Sequence, residues 1–414
     1  MNPRIARAAV TAGLRRLRGG QIHVLEKGRM RSYGPPGSEL QAQVRVHDPA
    51  AWSGPLRGSA GLGEGYMAGH WDSDDLVALL RIGARELRHL EGLRGAVARP
   101  RGLLHRLARV VPENTRSGAR RHVAAHYDLG NDLFEAFLDP RMMYSCAYFA
   151  GPGEGIEEAQ LAKLERICER LDLGPSDHLL EIGTGWGGLA VHAATHCGCR
   201  VTTTTISAAQ HALARERVRA AGLDSTVTLL LEDYRDLRGR YDKLVSIEMI
   251  EAVGWQYFDQ FFARCGALLA DRGLMFLQAI TIDDRIYEIE KGARSFANTH
   301  IFPGGCLPSV AKIADCVARM TDMRAVWMQD ITAHYPPTLA AWRERFLGAW
   351  EALRERGYDE RFRRMWTFYL CSSEAGFLER RIGDVQMLYA KPGWRGDAVG
   401  LPGGEIDLGQ LQVA

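Results

Sequence analysis

Hydrophobic and polar positions switch between two periods in the second half of the chain. Short apolar runs at His178–Ile182, Arg200–Thr205, Val227–Leu231, Lys243–Ile247 and Leu274–Ile280 read as strands. Between them, Gly188–Thr195, Ser207–Ala221 and Tyr257–Leu269 carry helical spacing. Upstream, Ile156–Leu171 puts Ala159, Leu161, Leu164, Ile167, Cys168 and Leu171 on one helical face. Strands alternating with helices predict an α/β unit, a parallel sheet covered on both faces.

The first part reads differently. Asn2–Leu17 has the pattern of a basic amphipathic helix ended by Gly19–Gly20. Gln21–Leu25 and Leu40–Val46 read as strands, separated by the turn-rich S-Y-G-P-P-G-S. Gly61–Trp71 is rich in glycine and aromatics, and Asp72–Asp75 caps a helix expected to start near Leu76. A small α+β domain over residues 1–110 is expected, then a linker to about residue 121. A second domain is expected over 122–395, with a tail over 396–414. The second domain opens on a helix, a polar turn and a helix within R-H-V-A-A-H-Y-D-L-G-N-D-L-F-E-A-F-L, followed by a compact loop at Tyr144–Phe149.

Charge changes this picture in one place. The net charge of +2 says little, but Arg81–Arg121 holds eleven Arg against three Glu, with Leu103, Leu104, Leu107, Val110 and Val111 between them. Such a segment suits an anionic membrane surface, and it equally suits a solvated linker. It carries no aromatic residue for base stacking, so nucleic acid is not an expected partner. The eight cysteines are scattered without metal-ligand spacing and read as reduced thiols, so no metal is expected. No apolar run approaches the roughly 20 residues of a membrane span, and the Arg-rich start lacks a signal peptide's apolar core.

The candidate chemistry centres on Leu180–Ala194, L-E-I-G-T-G-W-G-G-L-A-V-H-A-A. A strand enters a glycine-rich turn that opens a helix, so a ligand can approach the main chain and the helix-start N–H groups. Trp186 and Gly187 spoil the G-x-G-x-x-G spacing, and the second strand ends in Thr rather than a ribose-binding acid. A nicotinamide cofactor is thereby disfavoured. Glu181 before the turn, with Asp233–Tyr234 after the third strand, favours S-adenosylmethionine.

Several ordered motifs between about His122 and Tyr389 resemble the cyclopropane fatty acid synthase family, which includes the mycolic acid cyclopropane synthases. They are H-Y-D-L-G-N-D-L-F, Y-S-C-A-Y-F, E-I-G-T-G-W-G-G, T-I-S-A-A-Q, D-Y-R-D-L, I-E-A-V-G and I-F-P-G-G-C-L-P-S, with the Tyr335 region. The resemblance implies a Rossmann-like class I methyltransferase domain with a mostly parallel seven-stranded sheet. It implies that Tyr127, Tyr144 and Ser145 touch the methionine part of S-adenosylmethionine and that Gly183 and Gly185 let it lie on the backbone. Thr205 and Gln210 would hold the ribose, and Asp233 and Tyr234 would border the adenine. Cys146, Glu251, Ile280 and Tyr335 match a pocket that holds a bicarbonate ion, the general base. Gln278 stands where the family usually has His; it can hydrogen-bond but cannot carry charge. Ala252 and Thr184 replace a common His and Cys. The N-terminal domain is similar to the family in G-E-G-Y-M-A-G-H-W and would engage lipid.

The implied reaction is methyl transfer to the cis double bond of an unsaturated acyl chain of a phospholipid, through a carbocation. Direct loss of a proton closes a cyclopropane; a prior hydride shift gives a 10-methylene branch. A non-catalytic lipid-binding protein is the reading from another class. A cytoplasmic homodimer is expected, peripheral at the inner face of an anionic membrane. Leu339–Tyr389 would cover the sheet edge and line the acyl tunnel. Each residue also has a plain reading: Cys146 as a small buried apolar group, Glu251 as a helix-start acid, Tyr335 as a loop anchor. His126 and His334 read as structural, and Trp186, Tyr257, Phe258, Phe261 and Phe262 as core.

Overall fold

The computed structural model describes residues 2–95, 115, 118 and 129–395, with side chains omitted for 88–95. Most of the Arg81–Arg121 segment, Tyr127, His126 and the tail over 396–414 lie outside the described residues.

The N-terminal unit is a four-stranded sheet in the order β2-β1-β3-β4: β1 Gln21–Glu26, β2 Arg29–Tyr33, β3 Gln41–Val46, β4 Trp71–Ser73. Three helices accompany it: α1 Pro3–Leu14, α2 Gly58–Met67 and α3 Leu76–Gly95. α1 is shorter than its expected span and starts where the Asn2 side chain caps Arg4 N–H. β2 was not expected. It is an edge strand exposed on nearly every residue, so it carries no alternation to read. Its turn is legible in hindsight: Lys27 and Gly28 both have positive φ, 51° and 72°, as a two-residue hairpin turn requires. α2 forms over the glycine-rich stretch because tertiary contact outweighs propensity. A Cβ on Gly63 would sit 2.2 Å from the Phe296 ring.

The second sheet has seven strands in the order β10-β11-β9-β8-β5-β6-β7. These are β5 His178–Ile182, β6 Arg200–Thr204, β7 Val227–Leu230, β8 Tyr241–Ile247, β9 Leu269–Ile282, β10 Arg324–Asp330 and β11 Ile382–Ala390. All neighbours pair in parallel except β11, which is antiparallel to both β9 and β10. The expected strands recur within a few residues, but β9 begins five residues earlier and runs 14 residues. The helices continue in chain order as α4 Asn131–Phe137, α5 Ile156–Leu171, α6 Gly188–His196, α7 Ala208–Ala220, α8 Phe258–Leu268, α9 Tyr287–Glu290, α10 Val310–Met320, α11 Tyr335–Gly348, α12 Trp350–Glu355 and α13 Glu360–Leu378.

α13 joins the two units. Arg81 and Arg85 both donate to Glu379 at 2.8 Å, and Arg364 donates to Trp71 O and Asp72. The Arg364 guanidinium also lies 4.1 Å from the centre of the Tyr66 ring. On the same side, α4, α11 and α13 bury an aromatic cluster that includes Phe134, Phe137, Trp342, Trp366 and Tyr369. Phe258, Phe261 and Phe262 are core, as expected, while Tyr257 is only half-buried.

Candidate active site

The glycine turn sits at the carboxyl end of β5, at the edge where open parallel sheets bind ligands. Gly183 has φ +105°, and a side chain there would press on Met249 of the neighbouring β8–α8 connection. Gly188 opens α6 so close to the Tyr144 loop that a Cβ would meet Met143 Sδ at 2.6 Å. Trp186 is buried and donates Nε1–H to Asn131 Oδ1 at 2.9 Å, tying the turn to α4. It is core, as the sequence implied.

Around this edge, half-buried residues interrupt an otherwise buried interior: Gly183, Tyr144, Glu248, Met249, Ile280 and Phe302. Aromatic rings stand among them. Tyr144 and Tyr369 share a hydrogen bond between hydroxyls at 3.0 Å, and Phe302 meets Tyr369 edge-on at 5.7 Å. Tyr335 stacks on Phe377 with centroids 4.0 Å apart.

Glu248 follows β8 directly, and it was not singled out from the sequence. Its Oε1 accepts from Cys146 N–H at 2.9 Å and from Gln278 Nε2–H at 2.7 Å. Its Oε2 accepts from the Tyr335 hydroxyl at 2.7 Å. Of the residues expected around a bicarbonate ion, Cys146, Gln278 and Tyr335 thus converge on Glu248, while Ile280 bonds Glu251. Glu251 takes only the Ile280 N–H, at 2.6 Å, and its second oxygen is enclosed without a partner. Burial, reinforced by the Glu248 charge, pushes the Glu251 carboxyl up to about 8.

Two further groups missed in the sequence complete the cluster. Asp384 and Gln386 lie on one face of β11, in register with Ile280 and Gln278 of β9. Gln386 donates to Gln278 Oε1 at 3.0 Å, and Asp384 Oδ2 lies 3.3 Å from Gln278 Nε2. Burial and then the Glu248 charge hold Asp384 well above the usual carboxylate range. Lys163, fully buried on α5, donates to Ser145 Oγ at 2.6 Å. The available signal was polar residues two apart in an apolar strand, and a lysine on a buried helical face.

The donor set also tests the bicarbonate implied by the resemblance. Cys146 N–H, Gln278 Nε2–H and Tyr335 O–H already end on the Glu248 carboxylate, and Ile280 N–H on Glu251. A second anion would meet three carboxyl groups and no spare donor in this set, so these residues do not fit it. Cys146 is fully buried and burial pushes its thiol up, so it acts through its backbone. Tyr335 is likewise held as a phenol by burial.

The residues expected at the cofactor's ribose and adenine lie in the sheet's carboxyl-end connections. Thr205 and Gln210 are both buried, and the Thr205 hydroxyl donates to Gln210 Oε1 at 2.8 Å. Asp233 is paired with Arg235 two residues on, Nη2 to Oδ2 at 2.6 Å. The Tyr234 hydroxyl is buried without a partner. Glu181 accepts from Thr203 Oγ1 at 2.6 Å, and burial pushes its carboxyl up to about 8. His334 accepts from Phe149 N–H and is structural. Among the described residues, no His, Cys, Asp and Glu group could hold a metal, and no helix is long and apolar enough to cross a membrane.

The profile of the family described as mycolic acid cyclopropane synthetase matches residues 114–387. The chain belongs to this family. It is 40% identical over 348 residues to the tuberculostearic acid methyltransferase UfaA1 of Mycobacterium tuberculosis, covering 80% of this chain and 79% of that protein. It is also 40% identical over 353 residues to the cyclopropane-fatty-acyl-phospholipid synthase of Escherichia coli K12, covering 84% and 88%. Among solved structures, the cyclopropane synthase MmaA2 of M. tuberculosis superposes with a TM-score of 0.61 at 29% identity, over 66% of this chain and 98% of that one. Mycolic acid cyclopropane synthase CmaA1, solved with SAH and CTAB, gives the same figures. The family member described here is an S-adenosylmethionine-dependent C-methyltransferase with a Rossmann-like class I fold.

Proposed function

We propose that the enzyme methylates the cis double bond of an unsaturated fatty acyl chain in a phospholipid and closes a cyclopropane ring. The observation that carries the reading is the set of donors converging on one half-buried acid, Glu248, at the edge that holds the glycine turn. S-adenosylmethionine, when bound, supplies the electrophilic methyl. The chain's own residues answer the demands that follow. An isolated alkene is a weak nucleophile and has to be held close and in line. The resulting cation has to be kept from water and stabilised by ring faces, which Tyr144, Tyr369, Tyr335 and Phe302 supply. A proton then has to leave toward a base that does not attack the cation. Gly183, Gly185, Thr205 and Gln210 are assigned to the cofactor, with Asp233 and Tyr234 near its base. Glu251 is assigned as a neutral acid beside the reacting carbons.

The 10-methylene product is the second reading. It is favoured by the equal similarity to a relative named as a methyltransferase rather than a cyclopropane synthase. Lipid capture at an anionic membrane face is supported by the N-terminal sheet. Arg7, Lys27, Arg29 and Arg31 line an open cleft of about 340 Å³ with Tyr33 and Trp52. That cleft makes peripheral membrane contact part of the proposal, and sedimentation of the purified chain reads the homodimer included with it.

Incubation with S-adenosylmethionine and oleoyl phospholipid is expected to add one CH₂ by mass. Proton NMR of the product then reads upfield ring protons for the cyclopropane or vinylidene protons for the methylene branch. No methylated product with any unsaturated lipid would leave the non-catalytic binding protein.

A further inference from the structure

Three donors from three separate parts of the chain end on the Glu248 carboxylate: a loop N–H, a β9 amide and a hydroxyl at the start of α11. The Gln278 amide is fixed in the donating sense, because Gln386 donates to its carbonyl oxygen. Glu248 itself has φ +47°, the left-handed region that a side chain other than Gly, Asn or Asp rarely adopts. Such an outlier persists where the surroundings over-determine it, and such sites cluster at function. Glu248 is also half-buried rather than sealed, and Met249 beside it backs Gly183 in the cofactor turn. Its carboxylate is thus held by Cys146, Gln278 and Tyr335 next to the residue that backs the glycine turn.

We infer that Glu248 is the general base of this enzyme, an internal carboxylate that takes the proton which a separately bound anion would otherwise take. The inference rests on the methyl-transfer reading above. In the proton step, a C–H bond of the transferred methyl breaks. Its electron pair becomes the third C–C bond of the ring, or the second bond of a methylene group after a hydride shift. The proton goes to a Glu248 oxygen, and the acid returns it to solvent when the product leaves. The groups facing Glu248 fit this role. Burial raises both Glu251 and Asp384, which favours their neutral forms, while three donors end on Glu248. Lys163 stands behind Ser145, to whose hydroxyl it donates; burial lowers its pKa, an effect the nearby Glu248 partly offsets. Tyr335 and Cys146 stay protonated and contribute an O–H and a backbone N–H.

Two variants and one measurement on the unaltered enzyme test this. Glu248→Gln keeps the shape and removes the base. Product formation should fall by about 100-fold or more, with S-adenosylhomocysteine affinity by calorimetry within about threefold. Glu248→Gly suits the left-handed backbone and leaves the three donors around a space the size of a small anion. It should be equally slow and regain at least roughly tenfold on adding formate or bicarbonate at tens of millimolar, a response that loss of a merely structural acid would not give. The unaltered enzyme in carbon dioxide-purged buffer should turn over at the same rate with and without added bicarbonate. A Gln variant within about threefold of wild type, a folded Gly variant that no small anion rescues, or a wild type that requires bicarbonate would each overturn the inference. A wild type that releases no S-adenosylhomocysteine with any unsaturated lipid overturns the methyl-transfer reading instead, and this inference with it.

Discussion

Gln278 donates to Glu248 across 2.7 Å while Gln386 holds the other end of the same amide at 3.0 Å. The amide cannot turn over without breaking both bonds, so a neutral residue here delivers a donor of fixed direction. Gln278→Leu removes that donor at similar volume and leaves the Gln386 N–H without its partner in a fully buried place, while Arg166 still donates to the Gln386 oxygen. A hydrogen bond to a charged group contributes about 1.5–3 kcal/mol. Turnover at saturating S-adenosylmethionine should therefore fall by about one to two orders of magnitude, with S-adenosylhomocysteine affinity unchanged. Steady-state rates with oleoyl phospholipid check it, and an unchanged rate would show that the amide is only core.

Tyr335→Phe separates the phenol's two roles. The stack on Phe377 survives, while the donor to Glu248 Oε2 is lost. Because burial holds the hydroxyl far above its ordinary range, Tyr335 does not ionise in the working pH range. The substitution should lower the pH–rate profile about tenfold at every pH and leave its alkaline limb in place. A shift of that limb would assign the alkaline ionisation to Tyr335 itself.

The sheet was legible because its strands are buried on both faces and separated by helices of clear period. The glycine turn was legible because backbone geometry demands it, at Gly183 above all. The sequence singled out Glu251, and Glu248 beside it carried no signal of its own. I-E-M-I-E places two glutamates after β8, and only the fold shows which of them faces the donors. Asp384 and Gln386 were hidden for a related reason. Their meaning depends on β11 inserting antiparallel beside β9, a pairing far apart in sequence that no local pattern encodes. The edge strand β2 lacked alternation because neither of its faces is buried.

Thr205 fixes Gln210 much as Gln386 fixes Gln278. With its Oε1 accepting from the Thr205 hydroxyl, the Gln210 amide has a fixed orientation that leaves its N–H groups to donate elsewhere. Thr205→Val should let the amide turn and weaken S-adenosylhomocysteine binding by roughly three- to tenfold, leaving the rate at saturating cofactor intact. Calorimetry paired with kinetics checks it. A fall in rate without loss of affinity would remove both residues from the cofactor site.

Glu181 makes a prediction about stability rather than catalysis. Its carboxyl has an ordinary value of 4.5, and burial pushes it up to about 8 in the folded chain, against a single bond from Thr203. Below 4.5 both folded and unfolded chains hold the proton. Between 4.5 and about 8 the unfolded chain releases it and the folded chain keeps it, so stability falls as pH rises. Above about 8 both are ionised and the loss is complete, on the order of 5 kcal/mol. Glu181→Gln can still accept from Thr203 and has no proton to lose. Relative to the unaltered chain it should gain little at pH 5 and a few kcal/mol at pH 8, read from urea unfolding at the two pH values. An equal difference at both would mean that Glu181 is ionised in the folded protein.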